Sequence, residues 1–225
     1  MPRKKININL PQPVSIREKV CTTVRNSVLS GQIAPGERIV EARIAREINT
    51  SRTPVREALH MLEREGLLEV IPRVGYRVLT LDKDEIEELC EIRIVNETLA
   101  AQWAIDRITP KELKALEENL NKARAGVSNG NPERFVDDDL KFHEILNRAS
   151  GNKRLFEFCQ LLRGYMLRYR MKTLYNAETA IRAIEGHQVI LESIKSKNKQ
   201  AAAVAVRNHL EWVKLDIMNK VFNHP

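Results

Sequence analysis

Apolar residues in the first third of the chain follow the spacing of amphipathic helices. They recur at every fourth position from Ile16 to Val28, and this pattern predicts a first helix. Ser15 and Glu18 form the sequence pattern of a capping box at its start. A short second helix is predicted over residues 42–48, with three apolar residues turned inward: Ile44, Ala45 and Ile48.

A third helix is predicted between Thr53 and Gly66. The Thr53 hydroxyl can cap it, and Pro54 suits the first helical position, where no N–H group is needed. Its apolar stripe, at positions i, i+4 and i+7, consists of Val55, Leu59 and Leu62. Two short apolar runs follow, over residues 68–71 and 76–79, and predict a β-hairpin with a basic tip. Three helices followed by a hairpin predict a winged helix-turn-helix.

The pattern after residue 79 is helical to the end of the chain. Six helices are predicted, over residues 84–105, from residue 110 to a loop at 128–132, and over residues 133–150, 154–175, 178–196 and 200–222. In the first of them, five apolar residues are predicted to face a core: Ile86, Leu89, Ile92, Val95 and Leu99. Thr109 and Glu112 predict a capping box for the second. Six helices of this length predict an antiparallel bundle.

The predicted fold is therefore mostly α, with an N-terminal winged helix-turn-helix (three helices plus a β-hairpin wing) and a C-terminal antiparallel α-helical bundle. Residues 1–14 are predicted to be a flexible basic arm, residues 15–80 the winged domain and residues 81–225 the helical domain. The boundary at residues 80–84 is too short for a flexible tether, so the two domains are expected to be in contact.

The net charge of +7 is unevenly distributed along the 225 residues. Residues 1–80 carry 14 Lys and Arg against 8 Asp and Glu, a balance of +6, and the rest of the chain carries 23 against 22, a balance of +1. A basic first third indicates a nucleic-acid-binding module, although an anionic membrane surface would attract the same charge. No apolar run approaches the roughly 20 residues that span a bilayer, so no membrane association is expected. The three cysteines are widely spaced, which is typical of buried thiols in a reducing cytoplasm.

The start of the third helix carries side chains that can read DNA. Arg52 and Arg56 lie four residues apart, next to the hydroxyls of Ser51 and Thr53 and to first-turn N–H groups. The alternative is an ordinary surface helix with a solvated charged face. In the wing, Arg73 can reach a phosphate or the minor groove.

Four segments of the winged domain share a recognisable pattern: residues 31–36 (GQIAPG), 51–59 (SRTPVREAL), 62–68 (LEREGLL) and 72–78 (PRVGYRV). They resemble the DNA-binding domain of the GntR family of bacterial transcription regulators, and the resemblance covers residues 15–80. It implies that DNA is contacted by Ser51, Arg52, Thr53 and Arg56, and the wing adds Arg73 and Gly75 as candidates. Some relatives have a further arginine where this chain has Ala42, and the neighbouring Arg43 would point about 100° away. His60 is expected to face solvent or a backbone phosphate.

Three of the five histidines lie inside predicted amphipathic helices of the second domain, together with one carboxylate. Asp139 and His143 are four residues apart and share a helix face, while His187 and His209 lie among apolar residues of two later helices. Converging in the bundle, these four could bind zinc, nickel, manganese or iron and leave one or two coordination positions open. The alternative is three unrelated, hydrogen-bonded core histidines.

The segments around these residues resemble the all-helical effector domain of the FadR-like subfamily. The matching residues are 139–143 (DLKFH), 149–152 (ASGN), 185–187 (EGH), 208–210 (NHL) and 93–97 (RIVNE). Many members hold a divalent metal ion with one Asp and three His, which implies a metal site at Asp139, His143, His187 and His209. For Arg93 two roles remain open: binding the carboxylate of a ligand with its planar fork, or an ion pair with Glu91 or Glu97.

The sequence therefore predicts a metal-containing transcription regulator. A homodimer would place its third helices in successive major grooves of a near-palindromic double-stranded DNA operator. A small organic acid, either a carboxylate or a sugar acid, would bind at the open metal positions and change operator affinity. One alternative is a metal-dependent enzyme with an appended DNA-binding module, and another is a DNA-architectural protein without sequence preference.

Overall fold

The computed structural model describes residues 14–174 and 176–223. The arm predicted over residues 1–14 lies outside the described residues except for Val14. The N-terminal elements are α1 (Ile16–Leu29), β1 (Arg38–Ile39), α2 (Glu41–Glu47), α3 (Arg52–Arg64), β2 (Leu68–Ile71) and β3 (Gly75–Val78). They form the predicted winged helix-turn-helix around an apolar core of their own.

The capping of the N-terminal helices was predicted correctly for α1 and wrongly for α3. The Ser15 hydroxyl accepts a hydrogen bond from the Glu18 N–H at 3.2 Å, and the Glu18 carboxylate accepts one from the Ser15 N–H at 3.0 Å. Helix α3 begins at Arg52, before the predicted cap Thr53, and its N-cap Ser51 makes no side-chain cap bond. Pro54 is therefore the third helical residue, where an N–H group still lacks an intrahelical acceptor.

The small sheet contains one strand more than predicted. The hairpin of β2 and β3 is present, and β1 pairs antiparallel with β3, which gives the order β1-β3-β2. Because β1 has only two residues, it shows no alternation in the sequence. Ile48 is 46% exposed, contrary to its predicted inward position, because α2 ends one residue earlier.

The C-terminal part is the predicted helical bundle. Its helices are α4 (Lys83–Arg107), α5 (Pro110–Ser128), α6 (Phe135–Ala149), α7 (Lys153–Leu174), α8 (Ala177–Lys195) and α9 (Lys199–Ile217), with a 3-10 turn at Pro132–Arg134 and a π-helical turn at Met218–Asn223. Thr109 caps α5 in the predicted capping box with Glu112. Among the residues that the structure describes, no helix has the length and apolarity needed to cross a membrane.

Helix α4 buries a different face from the one its apolar residues predicted. Ile86 is buried as expected, but Ile92 is 49% exposed and Val95 is 61% exposed. The buried face carries the ion-paired Arg93 and Glu97. Hydrophobic spacing missed this face, because two charged residues interrupt it and apolar residues also line the exposed side of α4.

The two parts of the chain are in contact, as the short boundary predicted. The Tyr169 hydroxyl on α7 lies 2.9 Å from both the N–H and the carbonyl oxygen of Leu81, which connects β3 to α4. At the end of α3, the backbone of Glu65 lies directly against Gly164 of α7, where a methyl group would overlap the Glu65 carbonyl oxygen. The bundle therefore touches the end of the helix whose start carries the candidate DNA contacts.

Candidate metal centre and DNA-binding surface

Three helices bring the four predicted metal ligands together inside the bundle. Asp139 and His143 come from α6, His187 from α8 and His209 from α9. All four are buried, with exposed fractions between 1% and 4%. Each offers one ligand atom, and these atoms all lie within 4.8 Å of one another.

The spacing of the donor atoms suits a single metal ion. The two Nε2 atoms of His143 and His187 are 3.3 Å apart, and Asp139 Oδ1 lies 3.5 Å from His187 Nε2 and 4.0 Å from His143 Nε2. Ligand bonds of about 2.1 Å separate neighbouring donors by about 3.0 Å in octahedral coordination and by about 3.4 Å in tetrahedral coordination. Octahedral coordination by these four residues would leave two positions open. Three imidazoles and one carboxylate form a donor set that borderline divalent metals accept. The residues present therefore fit a divalent metal ion.

His143 is oriented by a buried carboxylate behind it. Its Nδ1 lies 2.6 Å from Glu97 Oε2, so the Nδ1–H group can donate to Glu97 while the Nε2 lone pair faces Asp139 and His187. Glu97 is fully buried, and its other oxygen accepts a hydrogen bond from Arg93 Nε at 2.5 Å. Burial raises the pKa of Glu97, but Arg93 and His143 outweigh it and hold that pKa well below the usual value.

Burial also lowers the pKa of His143, against the opposing effect of Glu97. The neutral imidazole is thereby favoured, and this is the form that can bind a metal.

The ion pair between Arg93 and Glu97 is the second of the two roles that the sequence left open for Arg93. Among the side chains that the structure describes, only Glu97 accepts a hydrogen bond from Arg93, through the Nε atom.

The other two histidines are fixed by close packing. The Phe142 ring stacks on His187, with centroids 4.1 Å apart and planes 9° from parallel. Gly186 faces His209, since a Cβ atom at this position would lie 2.5 Å from His209 Nδ1. A glycine here allows α8 and α9 to approach closely enough to place both rings at the same centre.

Arg163 connects the metal-ligand helix to α7. It is 6% exposed and donates hydrogen bonds from Nη1 to the Leu140 carbonyl oxygen at 2.9 Å and from Nη2 to the Asp139 carbonyl oxygen at 3.3 Å. Burial lowers the pKa of this guanidinium. The next residue, Gly164, is the one that lies against the end of α3. Two consecutive residues of α7, Arg163 and Gly164, therefore connect the backbone of Asp139 to the winged domain.

The candidate DNA contacts form a surface at the start of α3 and in the wing. Ser51, Arg52, Thr53 and Arg56 are all exposed. A groove between α3 and the wing is lined by Arg52, Arg56, Arg73 and Gly75, while Ser51 and Thr53 lie outside this lining. His60 also lines the groove, and half of its side chain is exposed, as expected.

Arg73 and Gly75 shape the tip of the wing. Arg73 has a φ of 64° and Gly75 a φ of 136°, both in the region that favours glycine. A Cβ atom at Gly75 would lie 2.9 Å from the Ile39 carbonyl oxygen, so glycine is needed where β3 begins beside its neighbour β1. The geometry of the turn presents the Arg73 side chain to solvent.

Comparisons with known proteins identify both parts of the chain. The family model "Bacterial regulatory proteins, gntR family" matches residues 16–78, and the model "FCD domain" matches residues 88–211. An HTH-type transcriptional regulator of Bacillus subtilis, YdhC, is 32% identical over 214 residues, which cover 90% of this chain and 91% of that protein. The chain belongs to the GntR family.

Further relatives of this GntR-family regulator agree in sequence and in fold. The gluconate operon transcriptional repressor of Bacillus subtilis is 26% identical over 210 residues, covering 90% of this chain and 84% of the repressor. The solved structure of E. coli McbR/YncC matches with a TM-score of 0.76 at 25% identity, covering 92% of this chain and 99% of that one. These relatives are transcriptional regulators, which favours the regulator over the enzyme alternative.

Four residues that support the candidate sites of this GntR-family regulator were not predicted from its sequence. Glu97 was named only as a possible partner of Arg93, although it orients His143. Gly186 stood in a matching segment, but no pattern showed that it faces His209. Arg163 and Glu41 carry no sequence signal at all, because their partners, Asp139 and Arg56, are 24 and 15 residues away along the chain.

Proposed function

We propose that this GntR-family protein is a homodimeric transcription regulator that binds a near-palindromic operator. Its affinity for the operator would change when a small organic acid binds at a metal centre. The observation that carries the proposal is the buried cluster of Asp139 and three histidines, with His143 oriented by Glu97, in the same chain as an exposed DNA-binding helix. The bacterial cytoplasm, where the operator lies, is the compartment that this function requires.

The metal centre would be held by Asp139, His143, His187 and His209. A divalent ion, whether zinc, nickel, manganese or iron, would supply a Lewis acid with open positions for a carboxylate oxygen. Glu97 fixes the imidazole of His143, and Phe142 stacks on His187, so both rings keep their orientation while the ligand exchanges.

The effector is a small carboxylate or sugar acid. Arg93 is fully buried, and its Nε is bonded to Glu97, which leaves the Nη groups as donors for a second carboxylate. Burial lowers the pKa of Arg93, but Glu97 and, less strongly, Asp139 outweigh it and raise that pKa, as expected for a guanidinium near the metal ligands. The name of one relative, the repressor of a gluconate operon, agrees with a sugar acid as the chemical class.

In the DNA complex, Arg52 and Arg56 would read base edges in the major groove, most simply guanine O6 and N7. Ser51 and Thr53, at the same exposed helix start, would bond phosphate oxygens, and the wing would place Arg73 and Gly75 against the neighbouring backbone or minor groove. Each arginine pair to a guanine would contribute about 1–3 kcal/mol of discrimination.

The dimer surface is assigned to the exposed apolar face of α4. Ile92 and Val95 expose 49% and 61% of their surface there, and Phe158 of α7, which packs beside α4, is 58% exposed. An apolar face of this kind on a soluble domain is typical of a protein interface. Two copies joined along α4 would present two winged domains, as a two-fold operator requires.

A route from the metal centre to DNA is offered by α7. A ligand that moves Asp139 also moves the carbonyl oxygens to which Arg163 is bonded, and Gly164 then shifts against the end of α3. The acid would favour one of two arrangements of the winged domain by its different affinity for them. A change in operator affinity of about 5- to 150-fold would be ordinary for such coupling.

Selection of binding sites from a random DNA pool tests the dimer and the DNA surface together. The full-length protein is expected to recover an inverted repeat whose half-sites are about 10 base pairs apart or a multiple of this. Val95→Glu places a charge in the proposed interface, so it is expected to sediment as a monomer and to lose affinity for the full repeat. Val189→Glu, on a valine of α8 with a similar exposure, is the matched control and should leave both the sedimentation and the affinity unchanged. Recovery of unrelated sequences would contradict the proposal and favour an architectural protein.

A further inference from the structure

A carboxylate holds one of the proposed base-reading arginines in place. Glu41 accepts three hydrogen bonds from Arg56: Nε lies 2.9 Å from Oε1 and 3.1 Å from Oε2, and Nη2 lies 2.9 Å from Oε2. The Glu41 side chain is 18% exposed, whereas that of Arg56 is 57% exposed. The Glu41 carboxylate is thus mostly covered by protein, and the Arg56 guanidinium bonded to it extends into the groove between α3 and the wing.

The position of Glu41 is set by the local fold. It is the first residue of α2, where the positive end of the helix dipole favours a negative side chain. Arg56 is the fifth residue of α3, so the pair connects the two helices of the helix-turn-helix across 15 residues of chain. Neither residue can change direction freely while the paired hydrogen bonds persist.

The geometry of the pair leaves the reading edge of Arg56 available. A guanidinium has five N–H donors, and the carboxylate occupies the edge formed by Nε and Nη2. The remaining edge, formed by Nη1 and the second hydrogen of Nη2, can still bond O6 and N7 of a guanine. A carboxylate that holds one edge therefore orients the other. It also restricts the rotamers of Arg56 before DNA binds, so less conformational entropy is lost on binding than for a free arginine.

We propose that Glu41 is a positioning residue that determines the base specificity of Arg56. This inference rests on the proposed function, in which Arg56 reads DNA. Glu41 acts in two ways. It orients the guanidinium for a guanine, and its negative charge repels the DNA phosphates. Only DNA that makes the specific base contact compensates for this repulsion. Both effects raise the ratio of operator binding to non-specific binding.

The test compares Glu41→Gln with a matched control on the same helix. Glu47→Gln removes the same charge from α2, but from an exposed pair with Arg43 that does not line the groove. Each full-length variant is titrated with the selected operator, with operators changed at single base pairs, and with unrelated DNA. Glu41→Gln is expected to reduce discrimination at one base pair per half-site by about threefold or more and to strengthen binding to unrelated DNA. Glu47→Gln should leave discrimination unchanged.

Two further variants separate positioning from charge and from folding. Glu41→Asp keeps the charge but shortens the side chain, so it should also relax discrimination while leaving binding to unrelated DNA as in the wild type. In an Arg56→Ala background, Glu41→Gln should have no further effect on discrimination, because the residue that it positions is gone. Equal weakening on all DNA by Glu41→Gln, or full discrimination by both Glu41 variants, would overturn the inference.

Failure of the proposed function gives a different result from failure of this inference. If Arg56→Ala alone leaves discrimination intact, Arg56 does not read bases and the proposed DNA contact is wrong. If Arg56→Ala relaxes discrimination and the Glu41 variants do not, only the role of Glu41 is wrong.

Discussion

Replacing Glu97 by glutamine is expected to lower the free energy of unfolding by about 3–5 kcal/mol. Glu97 is fully buried, and its carboxylate is the partner of Arg93, which is 3% exposed. Glutamine nearly preserves the shape but removes the negative charge that balances the buried Arg93 guanidinium. Urea denaturation of the metal-free protein measures this effect apart from any contribution of a bound ion.

The control for this prediction is a pair of the same spacing on the surface. Lys114 and Glu118 are also four residues apart on a helix, but both are about 70% exposed, with values of 75% and 67%. Glu118→Gln should therefore cost less than about 1 kcal/mol. Equal, small effects of the two substitutions would show that the buried pair does not stabilise the fold as described.

A double variant separates stability from metal binding. Replacing Arg93 by Met and Glu97 by Leu removes both charges and should recover much of the stability lost in Glu97→Gln. Metal affinity should remain reduced, by about 10- to 100-fold, because His143 still lacks the carboxylate that orients it. Competition with a metal-binding dye measures this affinity, and wild-type affinity in the double variant would contradict the orienting role of Glu97.

Replacing Gly164 by alanine is expected to separate the response to the acid from binding of the metal. The added methyl group would overlap the Glu65 carbonyl oxygen, and a backbone atom cannot rotate away as a side chain can. Helix α7 must therefore move away from the end of α3, at a cost of about 1–3 kcal/mol. We expect the metal still to bind, because the four ligands lie on α6, α8 and α9, while the acid-dependent change in operator affinity is lost.

Gly126 provides the matched control for this substitution. It lies within α5, and a Cβ atom there would meet nothing within 4 Å. Gly126→Ala should leave coupling intact and stabilise the helix by about 0.5–1 kcal/mol. A Gly164→Ala protein that responds to the acid as the wild type does would remove α7 from the coupling route.

Most features carried by local sequence were predictable, with the cap of α3 as an exception, and features that depend on distant contacts were not. Two capping boxes, at Ser15 and Thr109, were predicted and confirmed, because all their interacting atoms lie within three residues. Strand β1 was missed because its two residues gain their structure only from pairing with β3. The face of α4 was mispredicted at Ile92 and Val95, because hydrophobic spacing cannot anticipate a buried ion pair.

The same distinction holds for the candidate site. Asp139 and His143 share a face by helix spacing alone. The apolar surroundings of His187 and His209 allowed these two to join them, the resemblance to a family implied that they do, and the structure brings all four side chains together. The pairs of Glu97 with His143, Glu41 with Arg56, and Gly164 with Glu65 connect residues that are distant in sequence. Their positions follow from the packing of whole helices.

Control of DNA binding by an acid at the metal centre is measured directly by operator affinity as a function of acid and metal. The metal-loaded protein, the same protein after chelation and dialysis, and Asp139→Asn are each titrated with the selected operator in the presence of a series of small carboxylates and sugar acids. We expect at least one acid to change the operator affinity of the metal-loaded protein by about 5- to 150-fold and to have no effect on the other two proteins. An equal response after the metal is removed would show that the acid acts elsewhere and that the metal centre does not control DNA binding.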